Sequence, residues 1–210
     1  MTSTQALTFF HSPNTRSTGA LTLLRELGAE YHLHLINMKQ GEQRKPEYLA
    51  INPMGKVPAL KHGEAIITEQ VAIYIYLADL YPEAGLAPKI GDPLRGPYLR
   101  WMAFYGSSFE PAVVDRSQKR EPAPQAMSPY GDFDTMFKTL TDQLAKGTYL
   151  LGDKFTALDV LWGTALAWIT MYQLVPAEPV IQAYIDRVNA RPAVAWAKAN
   201  DAELAAAQGS

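Results

Sequence analysis

The order of strand-like and helix-like segments along the first 80 residues limits the folds open to this chain more than any other feature of its sequence. Residues 6–10 form a short apolar run and residues 31–36 alternate, so both predict β-strands. Between them, apolar residues recur with helical spacing from Ala20 to Leu27, and Gly28 is placed to end the helix. Two strands joined by a helix favour a parallel pair with a right-handed crossover.

A second pair of strands and a further helix follow. Residues 57–70 contain two short apolar runs around a His-Gly pair, a pattern typical of a β-hairpin. Helical spacing resumes at Val71, and Tyr81-Pro82 stops it. With a weakly helical stretch before the hairpin, the order is β-α-β-(α)-β-β-α. We therefore predict a small α/β domain over residues 1–80.

Only helix-like segments are evident after this domain. Residues 81–90 are rich in proline and glycine and predict a linker, followed by an all-helical domain over 91–210. The clearest helix is predicted after Thr156, because Asp159 three residues later completes a start that resembles a capping box. The residues that follow are apolar on nearly every face, which is typical of a helix at the centre of a bundle. The predicted fold class is α/β followed by all-α.

Charge and composition argue against several classes of function. The 210 residues contain 19 Lys and Arg against 21 Asp and Glu, so the net charge of −2 does not favour nucleic acid or an anionic membrane as a partner. No segment approaches the roughly 18–20 consecutive apolar residues of a membrane span, and no secretory leader is evident, so we predict a cytoplasmic protein. The sequence contains no cysteine, so any reactive thiol must come from a ligand, and we predict no metal cofactor.

Two short motifs have a recognisable binding chemistry. A trans bond before Pro58 would make it an ordinary strand start, whereas a cis bond would turn the backbone of Val57 outward to pair with an extended peptide. Thr68-Glu69-Gln70 opens a helix, whose free N–H groups attract a carboxylate, and the Glu69 side chain suits an ammonium group. This turn would recognise the zwitterionic end of an amino acid; an ordinary helix cap is the alternative.

Four segments together resemble one protein family. They are "NPMGKVPAL" (52–60), "TEQVAI" (68–73), "YLADLYP" (76–82) and "FTALDVLWGTALAW" (155–168). The combination resembles the cytosolic glutathione transferases of bacterial type and extends over nearly the whole chain. The resemblance implies a thioredoxin-like N-terminal domain, an all-helical second domain, a homodimer, glutathione as co-substrate, and detoxification of a small electrophile as the role.

The resemblance also assigns six residues to the binding of glutathione. They form three pairs, for the glycyl carboxylate, the cysteinyl backbone and the γ-glutamyl end respectively: Gln43 and Lys56, Val57 and a cis Pro58, and Glu69 and Gln70. This chain departs from the family at Gln70, where Ser, or sometimes Gly, is usual. A longer amide can still hydrogen-bond a carboxylate, with a different geometry.

Members of this family stabilise the glutathione thiolate with a residue between the first strand and the first helix. This chain has neither the tyrosine nor the cysteine of two classes there, and Thr15 takes the place of the serine of the Ser-type classes. Thr15 is therefore the first candidate for the thiolate donor, with Asn14 and Ser17 as close alternatives and Ser12 behind them. A simple capping role for all of them is the other interpretation.

The electrophile would bind in a pocket between the two domains. Its candidate walls are Phe10, His11, Tyr105, Phe109 and Glu110. Aromatic residues at helical spacing are more often part of a core, so core packing is the alternative for these rings.

Three functions fit these observations. The first is a glutathione S-transferase, in which the thiolate attacks an electrophilic carbon. The second is a glutathione-dependent peroxidase or disulfide reductase, in which two glutathione molecules supply both sulfurs. The third is a non-catalytic binding protein that keeps only the fold.

Overall fold

A computed structural model of the chain describes residues 6–209, which divide into two compact units. The first unit contains the described residues as far as Ala84 together with those from Arg191 onward, and the second contains Gly85–Ala190. This division differs from the predicted domains, 1–80 and 91–210, because the last helix belongs to the first unit.

The described residues form four strands and nine α-helices, besides short 3₁₀ turns. The strands are β1 (Leu7–His11), β2 (His32–Leu35), β3 (Ala59–His62) and β4 (Ala65–Ile67). The helices are α1 (Ser17–Leu27), α2 (Pro46–Leu49), α3 (Gln70–Leu80), α4 (Arg95–Phe104), α5 (Glu110–Ser117), α6 (Phe133–Leu144), α7 (Ala157–Met171), α8 (Pro179–Asn189) and α9 (Pro192–Gly209). A single π-helical turn, Tyr105–Phe109, joins α4 to α5.

The sheet of the first unit has the order β2-β1-β3-β4. β1 is parallel to β2, whereas β3 runs antiparallel to both β1 and β4. This confirms the predicted strand–helix–strand crossover and the predicted hairpin. α1 ends at Gly28, whose φ of 63° is the left-handed conformation that the sequence predicts for a C-terminal cap.

Helix α9 joins the first unit through contacts with α1. The Arg191 guanidinium donates to both carboxylate oxygens of Glu26, at 2.6 and 2.7 Å, in the fork geometry that strengthens such a pair. Arg25 lies over the ring of Trp196, 5.0 Å from its centroid, and Ala197 is fully buried. Each partner lies more than 160 residues from the other, so no local pattern indicates the pairing.

Helix α7 begins with the predicted capping box, which the structure confirms. The Asp159 carboxylate is buried and accepts from the backbone N–H of Thr156 at 2.9 Å, from that of Leu150 at 3.0 Å and from the Tyr184 hydroxyl at 2.8 Å. Burial raises the pKa of Asp159, although each of these hydrogen bonds acts in the opposite direction. One carboxylate therefore ties the start of α7 to a preceding loop and to α8.

No helix among residues 6–209 combines the length and the apolar character needed to cross a membrane.

Close packing of α7 against α8 yields a prediction about stability. A Cβ atom at Gly163 would lie 2.5 to 2.6 Å from three carbon atoms of Val188. We expect Gly163→Ala to lower the free energy of unfolding by about 1–3 kcal/mol through overpacking, and a second change, Val188→Ala, to relieve the clash only in part, because the Cβ atom of residue 188 remains. Denaturant unfolding measures both effects.

The matched control is Gly96→Ala, since Gly96 lies on α4 with no atom within 4 Å of the added carbon. Alanine is the better helix former, so this change should leave stability equal or slightly higher. Equal stabilities for the two alanine variants would contradict the close contact at Gly163.

Candidate functional site

Three of the segments predicted to bind glutathione meet at one edge of the first unit. Phe10 pairs with Ala59, the first residue of β3, so the end of β1 lies beside the residues that precede β3. The Val57–Pro58 peptide bond just before Ala59 is cis, as the family resemblance implies. The Gln70 side-chain amide donates to the carbonyl of Arg16 at 3.3 Å, which joins the start of α3 to the loop before α1.

The loop between β1 and α1 is held by its own hydroxyl groups. Thr15 Oγ1 lies 2.7 Å from the carbonyl oxygen of Ser12 and 2.7 Å from Ser17 Oγ, and its single hydrogen can be donated to either. Thr15 is half-buried, and its carbonyl accepts from the backbone N–H of Thr18 at 3.0 Å. Asn14 is exposed and has a φ of 57°, a left-handed conformation that asparagine tolerates better than most residues.

Ser17 lies beneath this loop and is wholly buried. Its Oγ is 2.7 Å from His11 Nδ1, accepts from the backbone N–H of Ser12 at 3.2 Å and lies 3.0 Å from the Ser12 carbonyl oxygen. With Thr15 Oγ1 also in range, every hydrogen-bonding position of this hydroxyl faces a protein atom. Among the three thiolate candidates, Ser17 is therefore the one whose hydroxyl is fully occupied by protein partners.

A carboxylate from α9 completes the cluster. Asp201 Oδ1 lies 2.9 Å from His11 Nε2, while its Oδ2 accepts from the backbone N–H of Asn14 at 2.8 Å and from the Thr18 hydroxyl. Burial of Asp201 would raise its pKa, but the hydrogen bonds from His11, Thr18 and Asn14 outweigh it and hold the pKa below its usual range. No motif around Asp201 indicates its role in the sequence, because its three partners lie more than 180 residues away.

The predicted walls of an electrophile pocket have other surroundings in the structure. His11 is buried and both ring nitrogens have partners, so it is a link in the polar cluster instead of an exposed wall. Phe10 belongs to an apolar cluster with Ile36 and Tyr48. These two side chains are fixed within the first unit.

In the second unit, Tyr105 and Phe109 pack around Trp162, with ring centroids 5.2 and 4.8 Å from it. Both rings are buried, which is the core role that the sequence left open as an alternative. Glu110 is half-buried and accepts from the Tyr105 hydroxyl at 2.5 Å.

The turn before the cis bond is braced by two side chains. Tyr48 Oη donates to the carbonyl of Lys56 at 2.6 Å, and Asn52 Nδ2 donates to the same oxygen at 2.9 Å. Burial raises the pKa of Tyr48 to about 12. Gly55, at a φ of 61°, lets this turn approach Gln43 closely, because a Cβ there would lie 2.6 Å from the Gln43 carbonyl oxygen.

Two further predicted residues have conformations that suit a ligand. Glu69 is the N-terminal cap of α3 with a φ of 63°, and its side chain is exposed. A non-glycine residue in this conformation costs free energy, and such residues concentrate at functional sites. The Oε1 atom of Gln43 is buried and has no hydrogen-bond partner among the described residues. A buried amide oxygen without a partner is unusual and needs a hydrogen-bond donor.

This edge of the first unit can hold a small peptide and an anion. The Gln70–Arg16 hydrogen bond brings the starts of α1 and α3 together here, and the first turn of neither helix carries an acidic residue. Within residues 6–209, no three His, Asp or Glu side chains group closely enough to hold a metal ion.

The comparisons with known proteins agree with this geometry. The family model for the glutathione S-transferase N-terminal domain matches residues 5–79, and the model for the C-terminal domain of the same family matches residues 130–196. A glutathione S-transferase of Arabidopsis thaliana is 30% identical over 69% of this chain and 72% of its own length. The chain belongs to the glutathione S-transferase family, and its fold is the predicted thioredoxin-like domain with a helical second part.

Solved structures of relatives extend the likeness to nearly the full chain. A glutathione transferase from Methylococcus capsulatus superposes with a TM-score of 0.79 at 29% identity, over 94% of this chain and 99% of that one. A sphingomonad glutathione S-transferase, solved in complex with glutathione, gives 0.76 at 30% identity, over 93% and 98%.

The raised pKa of Tyr48 predicts how stability responds to alkaline pH. At neutral pH, Tyr48→Phe should cost about 1 kcal/mol, because one of the two hydrogen bonds to the Lys56 carbonyl is lost. The folded chain holds the phenolic proton more tightly than the unfolded chain, so the stabilisation is complete below about pH 10 and is lost as the pH rises toward about 12. The difference between the two proteins should therefore stay constant up to about pH 10 and shrink as the pH rises from about 10 toward about 12.

Urea unfolding at several pH values measures this difference. Tyr172→Phe is the matched control, since Tyr172 is exposed at 56%. A difference between wild type and Tyr48→Phe that stays constant with pH would show that the phenol ionises equally in the folded and unfolded states.

Proposed function

We propose that this glutathione S-transferase stabilises the thiolate of bound glutathione with the hydroxyl of Thr15. The observation that carries the proposal is the difference in burial between Thr15 and Ser17, whose hydroxyls lie 2.7 Å apart. Thr15 is half-buried and can turn its hydroxyl toward a ligand, whereas Ser17 is enclosed by protein atoms. Asn14 is exposed, and its backbone N–H is already bonded to Asp201.

A hydrogen bond at this place has a clear chemical effect. A free thiol has a pKa near 8.5, so only a few per cent is ionised at neutral pH. A hydroxyl donor combined with the positive end of α1 favours the charged form and lowers that pKa. The resulting thiolate attacks an electrophilic carbon, and a thioether forms as the leaving group departs.

The remaining contacts with glutathione follow its three parts. We assign the cysteinyl backbone to Val57 beside the cis bond, where an extended peptide adds to the sheet as a further strand. Glu69 takes the γ-glutamyl ammonium, and the N–H groups that open α3 take its carboxylate. Gln43 and Lys56 approach the glycyl carboxylate, to which the amide N–H groups of Gln43 and the Lys56 ammonium can donate.

The Gln70 departure has a structural counterpart. Its amide nitrogen gives one of its two hydrogens to the Arg16 carbonyl, so the second N–H stays available to a ligand. We assign the γ-glutamyl carboxylate to the backbone N–H groups that open α3, with this second N–H as a further donor. We also predict a homodimer, a small electrophile as the second substrate and a cytoplasmic location.

Thr15→Ala tests the thiolate assignment. We expect the pKa of bound glutathione to rise by about one unit, because the hydrogen bond to sulfur is lost, with a fall in kcat/KM of about tenfold near neutral pH. Thr15→Ser keeps the hydroxyl and should keep most of the activity. The ultraviolet absorbance of the thiolate, followed against pH with bound glutathione, measures the shift directly.

The matched control is Thr139→Ala on α6, where a half-buried threonine donates to a backbone carbonyl at 2.7 Å. It should leave the titration of glutathione unchanged. An unmoved titration in Thr15→Ala, combined with a shift in Asn14→Ala, would transfer the role to Asn14.

The γ-glutamyl assignment predicts a different kinetic pattern for Glu69→Gln. Loss of the charge that faces the ammonium group should raise the KM for glutathione about tenfold. We expect kcat to change little, because the sulfur belongs to the cysteinyl residue and not to the γ-glutamyl end that Glu69 binds. Glu64→Gln, an exposed glutamate in the β3–β4 hairpin, is the control. Equal KM values for the two variants would place the γ-glutamyl end elsewhere.

A further inference from the structure

A continuous row of hydrogen-bonding groups leads from α9 to the proposed thiolate donor. The Asp201 carboxylate lies 2.9 Å from His11 Nε2, His11 Nδ1 lies 2.7 Å from Ser17 Oγ, and Ser17 Oγ lies 2.7 Å from Thr15 Oγ1. We propose that this row is a proton relay, in which His11 receives the proton of the glutathione thiol through the hydroxyls of Thr15 and Ser17. The inference rests on the proposed function and adds a destination for the proton.

The relay is closed to solvent along most of its length. His11 and Ser17 are 0% exposed and Asp201 is 2% exposed, whereas Thr15 at the far end is only half-buried. A proton can therefore enter at Thr15 and travel inward without meeting bulk water. The relay thus has one open end, and that end is at the proposed sulfur position.

The contacts of the His11 side chain come from three elements of the first unit. Asp201 faces it from α9, the Ser17 hydroxyl faces it from α1, and the ring of Phe9 on β1 stacks on it with centroids 5.8 Å apart. On the neighbouring strand its register partner is Leu35. A positive charge on His11 would thus be compensated by the Asp201 carboxylate.

The donors and acceptors in this row determine where the hydrogens lie before the transfer. An ionised Asp201 can only accept, so His11 Nε2 carries a hydrogen and, in a neutral ring, Nδ1 accepts from the Ser17 hydroxyl. Ser17 Oγ then accepts from the Ser12 N–H and from Thr15, whose single hydrogen points to Ser17 and not to the Ser12 carbonyl oxygen, which is also 2.7 Å away. Ser17 is therefore fully satisfied before the proton moves.

The transfer balances in atoms and charge. The thiol S–H bond breaks and its proton joins Thr15 Oγ1, the Thr15 hydrogen passes to Ser17 Oγ, and the Ser17 hydrogen passes to His11 Nδ1. The products are a thiolate and an imidazolium that Asp201 holds, with both hydroxyls now donating toward the sulfur. Ser17 is again satisfied, because it accepts from the Ser12 N–H and the His11 ring and donates to Thr15.

A purely structural role for the cluster is the alternative. Asp201 also accepts from the Asn14 N–H and the Thr18 hydroxyl, so it would fix the loop even if His11 never changed its charge. The two accounts differ in where the thiol proton goes. The structural account releases it to solvent, whereas the relay retains it on His11.

Nuclear magnetic resonance of the full chain with ¹⁵N-labelled histidine separates them. The sequence has four histidines, and His11→Gln identifies the signals of His11. At neutral pH, we expect a neutral ring with hydrogen on Nε2 in the free protein and a doubly protonated ring after saturation with glutathione. S-methylglutathione carries no thiol proton and should leave the ring neutral.

Unchanged His11 signals, in a sample whose ultraviolet absorbance shows that the thiolate has formed, would overturn the relay and leave the proposed function standing. A His11 ring that is already doubly protonated in the free protein would overturn it as well. A pKa of bound glutathione that is not lower than that of the free thiol would overturn both the relay and the proposed function.

Two variants give a second readout. Ser17→Ala interrupts the row, so His11 should stay neutral with glutathione bound and the thiolate fraction near neutral pH should fall about tenfold. The control Thr22→Ala removes another buried hydroxyl of α1, one that donates to the Thr18 carbonyl at 3.0 Å, and should change neither measurement.

Asp201→Asn tests the direction of the effect. Loss of a nearby negative charge by itself would lower the pKa of the bound thiol, whereas loss of the group that holds the imidazolium should raise it. A lowered value would contradict the relay. If this variant does not fold, the comparison of glutathione with S-methylglutathione in the unaltered chain still decides the question.

Discussion

The acceptance of three hydrogen bonds by the Asp201 carboxylate is the interaction on which the candidate site depends most. It joins α9 to His11 at the end of β1, to the backbone of Asn14 in the loop and to Thr18 in the first turn of α1. A buried carboxylate is costly unless it is paired and hydrogen-bonded, and here every donor comes from the segment that the site requires. The last helix of the chain thus fixes the loop near its beginning.

The local parts of this fold could be predicted because their signals are local. Gly28 ends α1 in the left-handed conformation, the His-Gly pair turns between β3 and β4, and Thr156 with Asp159 closes the capping box of α7. Each depends on residues within a few positions of one another. The membership of α9 in the first unit could not be predicted, because Arg191 and Glu26 are joined only by the folded chain.

The candidate site also has parts that short motifs predict and parts that depend on long-range packing. The cis bond at Pro58 and the turn at Glu69 were found from short motifs and from the family resemblance, and the structure brings both to the edge where β1 ends. Spacing could not rank Thr15 and Ser17, because the two differ in burial, which depends on His11 and Asp201 packing from other elements. Burial also separates the ring of Tyr105 from a pocket wall, since its neighbour Trp162 lies far along the chain.

A crystal structure of this protein with bound glutathione tests the central claim most directly. The account predicts the sulfur within hydrogen-bonding distance of Thr15 Oγ1, with the cysteinyl backbone paired to Val57 and the γ-glutamyl ammonium at Glu69. A sulfur whose nearest protein donor is Asn14 or the Ser12 hydroxyl would contradict the assignment of Thr15. A peptide that does not pair with Val57 would contradict the placement of glutathione at this edge of the sheet.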